Sequence, residues 1–475
     1  MTRATILRLS VWMALAPFQA QTALLGQDLD TRDSTRTREV HIESADVLTV
    51  GEIDGERVNR LDGNVVLTQE ETILRADMAI QYPQSDLIVF EGGVEIVDRG
   101  DTLRADRVEY RTEIKRALGS GAVVWTDGEV ELTARTGEYR IDDKVASFSG
   151  DVVMRDSTTT IASQAGEYYV EQEVAVFSEG VFLNQKSLVL KADSVTHDRQ
   201  TGLTIATGSV RIYQTADNGS DARVVLIGGR AESRREAGVS TLWQNPIMIR
   251  IVITEDAADT LVVAASQLEV TTSDTTESFR AMGNVRMWRS DLSGLSDSLQ
   301  YRGNADSDSA AILMTGSPIL WSAAAQVIGD TIAIQFLSGS PVNLTAGPDA
   351  FVAFEDTALG RIQQIRGKRL TATFRDDSLR QLIVEPQAEA LYFSDESTGE
   401  LETVVRFSSS SIRLDFEAGE VGRIVAATDV EGEIEEFERE HPPALDGFEW
   451  RVETRPGRRT MLTDELLDAL GQWPD

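Results

Sequence analysis

Three histidines are the only imidazole groups that this sequence offers for catalysis or metal binding: His41, His197 and His441. They are widely separated, and no serine or carboxylate accompanies them in an arrangement that suggests a hydrolytic triad. The sequence has no cysteine, which excludes disulfides, thiolate metal sites and cysteine catalysis. We therefore expect these histidines to be structural residues.

Two loops have the outline of a ligand-binding motif. The segment Asn304–Asp308 opens like a calcium loop, but Ser309 and Thr315 stand where that loop requires glycine and glutamate. The segment Gly360–Arg369 is too long for a phosphate-binding loop, and it ends in Gly-Lys-Arg where that motif requires Gly-Lys followed by serine or threonine. A glycoside hydrolase would need two carboxylates across a cleft, and that alternative stays open from sequence alone. We predict that the chain is not an enzyme and has no catalytic residues, no metal site and no cofactor.

The charge of the chain excludes some partners. The net charge is −33, from 78 acidic and 45 basic residues. Binding of nucleic acid needs a basic surface that displaces counterions, so no nucleic-acid partner is expected. Simple electrostatic attachment to anionic lipid headgroups is disfavoured for the same reason.

The elements that would position any site come from a repeat. A phrase of the form Gly-x-Val-x, followed by a large apolar residue, recurs every 29 residues. Six copies in one register predict a repeat architecture. The first residues of the copies, with glutamate in the glycine place of the fifth, are Gly63, Gly92, Gly121, Gly150, Glu179 and Gly208.

A second phrase, first seen as Leu74-Arg75-Ala76-Asp77, keeps the same period. In its next copy the apolar spacing slips from two residues to three after Ala105, which predicts a bulge or bend near the Ala-Asp pair. A ring ends the phrase in four copies, again 29 residues apart: Tyr110, Tyr139, Tyr168 and His197.

Each repeat is predicted to form two strands, because its apolar residues alternate with polar or small ones. One such repeat cannot bury its apolar face alone, so the repeats must stack. Two sheets would then face each other across an apolar interior. The candidate groove residues for a lipid on that interior are Val65, Leu67, Val94, Ile96, Val123, Trp125, Val152, Met154, Val181, Leu183, Val210 and Ile212. The alternative is that these residues only pack against one another in the hydrophobic core and bind no lipid.

The pattern divides the chain into five parts. Arg3 and Arg8 precede a short apolar run, which predicts a signal peptide over residues 1–23. A linker over 24–39 precedes the regular repeats at 40–216, and a diverged region with similar strands follows at 222–435. The tail, 436–475, is predicted to contain a short helix that begins near Thr463.

The two phrases at this spacing resemble those of the OstA-like proteins, the LptA/OstA family of lipopolysaccharide transport. The stretch Pro442–Arg451, with Arg455-Pro456, resembles the tail of the long OstA-like proteins of the Bacteroidetes. The resemblance covers 40–216 well and 222–435 weakly. This chain is much longer and more acidic than the short bridge proteins of the family.

The resemblance implies an all-β fold, an elongated, slightly twisted β-jellyroll of about 29-residue, two-stranded repeats with a short helical tail. It implies a periplasmic location and binding of the lipid A acyl chains of lipopolysaccharide between the sheets. It also implies edge-to-edge addition to other jellyroll proteins of the export bridge, and so a part in outer-membrane assembly. The alternative is a structural or carbohydrate-contacting β-solenoid on the cell surface. An interior that opens along one side favours the lipid carrier, and an exposed ladder of aromatic rings favours the solenoid.

Overall fold

The structure is a computed structural model. It describes residues 39–185, 188–215, 222–234, 237–253, 258–272, 276–304, 307, 309–398, 401–417, 420–438, 440–464 and 466–467. The predicted signal peptide (1–23) and all but the last residue of the predicted linker (24–39) lie outside these residues.

The first fourteen strands follow one another closely, and all of them from β3 onward are long. They are β1 (His41–Ser44), β2 (Val47–Ile53), β3 (Glu56–Gln69), β4 (Thr72–Tyr82), β5 (Leu87–Asp98), β6 (Asp101–Arg111), β7 (Arg116–Thr126), β8 (Glu131–Arg140), β9 (Val145–Arg155), β10 (Thr159–Tyr169), β11 (Val174–Gln185), β12 (Leu188–Asp198), β13 (Leu203–Thr215) and β14 (Ala222–Arg234).

The later strands are mostly shorter. They are β15 (Val239–Trp243), β16 (Ile247–Ile253), β17 (Ala258–Ala264), β18 (Gln267–Thr272), β19 (Thr276–Trp288), β20 (Leu292–Asn304), β21 (Ser309–Thr315), β22 (Ile319–Ser322), β23 (Ala325–Ile328), β24 (Thr331–Leu337), β25 (Ser340–Gly347), β26 (Ala350–Asp356), β27 (Arg361–Gly367), β28 (Arg369–Arg375), β29 (Ser378–Glu385), β30 (Ala388–Thr398), β31 (Leu401–Ser409), β32 (Ser411–Glu417), β33 (Glu420–Ala427) and β34 (Glu431–Glu438). A 3₁₀ turn, Val452–Thr454, and the helix α1, Arg458–Met461, follow.

Each long strand from β3 to β14 is bent and belongs to two sheets. In the antiparallel pair of β5 and β6, residues 88–91 pair with 107–110 and residues 94–98 pair with 101–105. The register shifts between Glu91 and Val94, where the strand turns from one sheet into the other. We call the sheet that contains residues 87–91 sheet A and the sheet that contains residues 94–98 sheet B. The fold is therefore the expected two-sheet jellyroll.

The bends form one side of the jellyroll, which we call the corner. Gly92 and Gly93 both have positive φ there, +81° and +53°. A Cβ on Gly92 would lie 2.5 Å from the Asp77 Oδ2 atom, so a larger residue at this position would have to displace that carboxylate. The same contact joins Asp106 to Gly121. The two repeated sequence phrases thus lie on adjacent strands and meet at the corner. The predicted bulge at the Ala-Asp pair is confirmed.

After β14 most strands belong to one sheet only, and β19 and β20 are the long strands that still contribute to both. Hairpins of sheet A and hairpins of sheet B now follow one another in turn, and short connections at the corner join them. Sheet A continues through β15, β18, β19, β20, β21, β24, β25, β28, β29, β32 and β33. Sheet B continues through β16, β17, β19, β20, β22, β23, β26, β27, β30, β31 and β34.

The sheets continue across the segment between the regular and the diverged repeats. Residues 210–215 of β13 pair with residues 223–228 of β14, so the strand ladder passes from one region into the next. The division at 216–222 remains a sequence-based proposal about domains.

A short helix, α1, ends just before Thr463. Residues 464, 466 and 467 are helical as well, in the place where the sequence predicts a helix, and the Leu467 N–H donates a hydrogen bond to the Thr463 carbonyl 3.0 Å away. The tail runs back over the outer face of sheet B, and we call residues 442–464 the strap. Near its start, the Leu445 N–H donates to Gln364 Oε1 of β27. Farther along, Met461 and Leu462 pack with Tyr213 and Ile249. Both faces of sheet B are therefore covered where the strap lies on it.

Candidate functional site

The candidate groove residues all point into the space between the sheets. None of the twelve is more than 2% exposed, and all belong to one apolar cluster that extends from Leu61 to Leu414. They come from the part of each odd-numbered strand that lies in sheet B. The structure therefore brings the whole predicted set together, and their contact with a lipid stays a prediction.

Sheet A supplies the opposite wall of the interior, which the sequence analysis did not include. Phe90, Phe148 and Phe177 are buried there, with at most 4% exposure. Phe148 and Phe177 are 29 residues apart, and Phe90 lies two periods before Phe148. That recurrence was the signal that could have identified this wall.

Trp125 is a polar exception within the apolar interior. Its ring centroid lies 6.0 Å from that of Tyr139 and 5.3 Å from that of Tyr168. The side chain is fully buried, and in the described part of the chain no acceptor lies within hydrogen-bonding distance of its Nε1–H. A buried donor without an acceptor costs about 1–3 kcal/mol.

The side of the jellyroll opposite the corner is closed by polar contacts. There the short turns of sheet B face the longer turns of sheet A, and we call this line the seam. The Tyr110 hydroxyl donates to Gln69 Oε1 at 2.6 Å, and the Tyr139 hydroxyl donates to Asp101 Oδ2 at 2.5 Å. The Tyr168 hydroxyl donates to Asp127 Oδ2 at 3.3 Å. The three tyrosines of the predicted ring series thus lie on the inner side of the seam.

Cations complete the seam. Lys115 Nζ lies 2.5 Å from Glu70 Oε2, and Lys144 Nζ lies 2.6 Å from Asp98 and 2.9 Å from Asp101. Burial disfavours the charged form of Lys144, but the hydrogen bonds that Lys144 donates to the two aspartates outweigh the effect of burial and raise its pKa. We call each group of ring, cation and acceptor a latch.

The third latch has a different cation. Arg199 donates to the Tyr168 hydroxyl at 3.2 Å and to Glu129 at 3.0 Å. Burial raises the pKa of Tyr168, and the nearby Arg199 lowers it by less, so that the pKa rises overall to about 12. The ring therefore stays protonated and can donate its hydrogen bond at neutral pH.

The series changes at its fourth position. His197 stands in the ring place, and its Nδ1 lies 2.9 Å from Thr204 Oγ1. Asp156 accepts hydrogen bonds from the backbone of its own turn, at Thr158 and Thr159. A cavity of about 570 Å³ lies between the sheets at this level. One candidate groove residue, Ile212, lines it.

The two ends of the sheet array differ in their surface. At the N-terminal end, β1 and β2 each pair only with β3 among the described strands. Val47, Leu48 and Val50 of β2 are 52–55% exposed. At the C-terminal end, β34 has the sequence EGEIEEFE, and its glutamates are mostly exposed. Charge on an edge strand opposes the addition of another sheet, whereas an exposed apolar edge favours it.

The motifs that the sequence analysis set aside are scattered over the fold. His41 lies in β1, whereas His441 follows β34 at the other end of the array. Gly360 ends the turn before β27, and Lys368 lies after that strand. Among the described residues, no group of three or more histidines or carboxylates is placed so that it could hold a metal ion. The rings at Tyr110, Tyr139 and Tyr168 are buried, so they do not form an exposed ladder.

The fold and its interior define a class of protein, a two-sheet β-jellyroll with a continuous apolar core. Residues 37–193, about a third of the chain, match the model of the family described as OstA-like protein. The chain thus carries an OstA-like segment, and the resemblance given by the two phrases is confirmed there. No curated protein matches the sequence.

One similar solved structure is LptH from Pseudomonas aeruginosa. It is described as the LptA-homologous periplasmic component of the conserved lipopolysaccharide transport device. The identity is 19%, the match covers 23% of this chain and 82% of LptH, and the TM-score is 0.22. In the described part of this chain, no helix has the length and apolar character needed to span a membrane.

Proposed function

We propose that the protein is a non-catalytic carrier that holds the acyl chains of lipopolysaccharide, or of a lipid like it, between its two sheets. Its place would be the periplasm, reached through the signal peptide predicted at 1–23. There it would form part of a bridge that supplies the outer membrane. The observation that carries the proposal is the single apolar cluster that runs through the array from Leu61 to Leu414.

The physical reason is the cost of exposing hydrocarbon to water. Each exposed CH₂ group costs about 0.8 kcal/mol, so a long acyl chain needs an apolar path along the whole route. A core that continues from repeat to repeat supplies such a path, provided that the two sheets can part along one side. The seam is the side that can part, because side-chain contacts hold it, whereas covalently continuous strands form the corner.

Trp125 supports the same role. Its indole N–H points into the interior without an acceptor among the described residues. The ester and amide carbonyls near the head of an acylated lipid are acceptors that this donor would bind. The match of residues 37–193 to the OstA-like family supports the choice of lipid class.

The apolar edge formed by β1 and β2 is the end at which another jellyroll would add. Leu48 and Val50 are exposed there, and backbone groups of an edge strand are available for pairing. The glutamates of β34 would oppose the addition of another jellyroll at the other end. Leu48→Lys with Val50→Lys should abolish copurification with other jellyroll proteins of the bridge, whereas Ile434→Lys should not. Unchanged copurification of the first variant would contradict this end assignment.

The experiment that tests lipid binding is photo-crosslinking in cells. A diazirine-bearing amino acid is placed at Met154 or Leu183, which are at most 1% exposed and face the interior. Leu118 of β7, which is 42% exposed, is the matched control. Adducts with lipopolysaccharide at both interior positions, and none at the control, are expected. A folded, exported protein that gives no interior adducts would refute the carrier and leave these residues as core.

A further inference from the structure

We infer that Trp125 makes the interior selective for ester-linked acyl chains over ether-linked alkyl chains; this inference rests on the proposed function. The indole N–H is the group that distinguishes them, by donating a hydrogen bond to the ester carbonyl oxygen. This N–H is fully buried and has no acceptor among the described residues. It is fixed in the plane of its ring, whereas a hydroxyl group can rotate toward a new acceptor. We therefore assign the missing acceptor to the ligand.

The repeat shows that the fold does not need a polar group at this place. Trp125 is the large apolar residue in the third copy of the first phrase, and its equivalents in the other five copies have no side-chain N–H. They are Leu67, Ile96, Met154, Leu183 and Ile212. All five are buried in the same apolar cluster. Among the six copies, the donor is thus confined to one level of the interior.

The chemistry of the donor selects among the polar groups of a lipid. An ester carbonyl oxygen accepts a hydrogen bond, and the ester brings no donor of its own. A hydroxyl or an amide N–H would bring a further donor that needs an acceptor in the apolar interior. A carboxylate would bring a charge, and burial of a charge costs far more than burial of a neutral polar group. An ester therefore satisfies Trp125 and leaves no donor unpaired.

The position of Trp125 suits the linkage between the head of a lipid and its chain. Asp127 follows two residues later and lies in the seam, where it accepts a hydrogen bond from the Tyr168 hydroxyl. Two strand residues span about 7 Å, so a carbonyl bound at Trp125 would lie about that far inside the seam. The head would then remain at the seam, and the hydrocarbon would extend into the apolar cluster.

The rings that cover Trp125 belong to the latches. Its ring centroid lies 6.0 Å from that of Tyr139 and 5.3 Å from that of Tyr168, and both tyrosines come from the opposite sheet. Their hydroxyls hold the seam acceptors Asp101 and Asp127. Parting of the sheets at these two latches would therefore uncover the indole on the route of an entering chain.

The test compares two lysophospholipids with the same head and the same chain length. Palmitoyl-lysophosphatidylcholine has an ester carbonyl, whereas hexadecyl-lysophosphatidylcholine has an ether in its place. Equilibrium binding of the radiolabelled lipids to the full chain is measured below the concentration at which they form micelles. The unaltered protein should bind the ester about tenfold more tightly than the ether, a difference of about 1.4 kcal/mol.

Two changes at position 125 remove the donor. Trp125→Phe removes the N–H with part of the ring, whereas benzothienylalanine in place of Trp125 keeps the ring shape and has sulfur where the N–H was. Both proteins should bind the ester no more tightly than the ether. Trp288→Phe is the matched control, because Trp288 packs on the outer face of sheet B. It should keep the tenfold preference. Thermal unfolding verifies that all three proteins fold.

The outcomes separate this inference from the function on which it rests. Equal binding of the two lipids to the unaltered protein would overturn the role of Trp125, and so would a preference that survives in the folded benzothienylalanine protein. Binding of neither lipid, together with lipopolysaccharide adducts at Met154, would overturn it as well and leave the carrier function intact. If lipopolysaccharide also gives no interior adduct, the carrier function itself is refuted.

Discussion

The ammonium nitrogen of Lys144 lies 2.6 Å from a carboxylate oxygen of Asp98, although the two residues are 46 positions apart. One side chain comes from a turn of sheet A and the other from a turn of sheet B. Both are nearly buried, with 15% and 7% exposure. An ion pair thus holds together the side of the jellyroll that the proposed function requires to open.

Removal of this cation should destabilise the protein. Lys144→Met would leave Asp98 and Asp101 close together without their cation, and breaking a buried pair in this way costs about 3 kcal/mol or more. Urea unfolding measures the change. The control is Lys368→Met, because the Lys368–Asp349 pair is 2.6 Å long but more than half exposed. It should cost less than about 1 kcal/mol. Equal losses in the free energy of unfolding of the two variants would show that the ion pair of the seam stabilises the fold no more than an exposed pair does.

Alkaline pH should weaken the seam through Tyr168. Burial raises its pKa to about 12 from an ordinary value of 10, so the folded protein favours the protonated phenol. The stabilisation is complete below pH 10 and is lost as the pH rises from 10 towards 12. The free energy of unfolding should therefore fall over this range by on the order of 2 kcal/mol more in the unaltered protein than in Tyr168→Phe. Parallel curves for the two proteins between pH 10 and 12 would contradict the assignment.

Two adjacent glycines at the corner should respond differently to alanine. Gly92 has φ +81° and would place its new Cβ 2.5 Å from the Asp77 carboxylate, whereas Gly93 has open space around it. We expect Gly92→Ala to cost about 1–2 kcal/mol more than Gly93→Ala in thermal or urea unfolding. Asp77→Gly should recover part of the loss in Gly92→Ala. No difference between the two alanine variants would mean that the carboxylate moves aside freely.

The regular repeats were predictable from sequence because their signals are local. The 29-residue period gave the strands, the bulge at the Ala-Asp pair and the buried set that includes Val94 and Trp125. The seam was not predictable, because its contacts join residues 31 to 70 positions apart in different repeats. Only the ring positions were visible, without their partners.

The second half was harder to interpret for a different reason. In β26, Val352 faces the interior, while its neighbours Phe351 and Ala353 face outward and are also buried. Alternation of apolar and polar residues disappears when both faces of a strand are covered. The strap covers the outer face, and nothing local in β26 indicates which distant segment will do so. The periodicity therefore decayed where the structure remained regular.

Gln326 of β23 should hold the strap in place. It is 1% exposed, its Oε1 accepts from Trp321 Nε1 and from the Arg451 N–H, and its Nε2 donates to the Glu449 carbonyl. Gln326→Leu keeps the volume but removes all three hydrogen bonds and leaves the buried Trp321 donor unpaired. A loss of about 3 kcal/mol is expected. Trypsin should also cleave the variant faster after Arg451 and Arg458.

The matched control for the strap is Gln335→Leu, because Gln335 of β24 is exposed on sheet A. That change should alter the free energy of unfolding by no more than about 0.5 kcal/mol. If the two variants are cleaved at the same rate, the strap is held by its apolar contacts at Leu445 and Met461 instead. Leu445→Asp would then release it, because a carboxylate cannot replace a side chain that is 2% exposed among Phe351, Leu391 and Phe393.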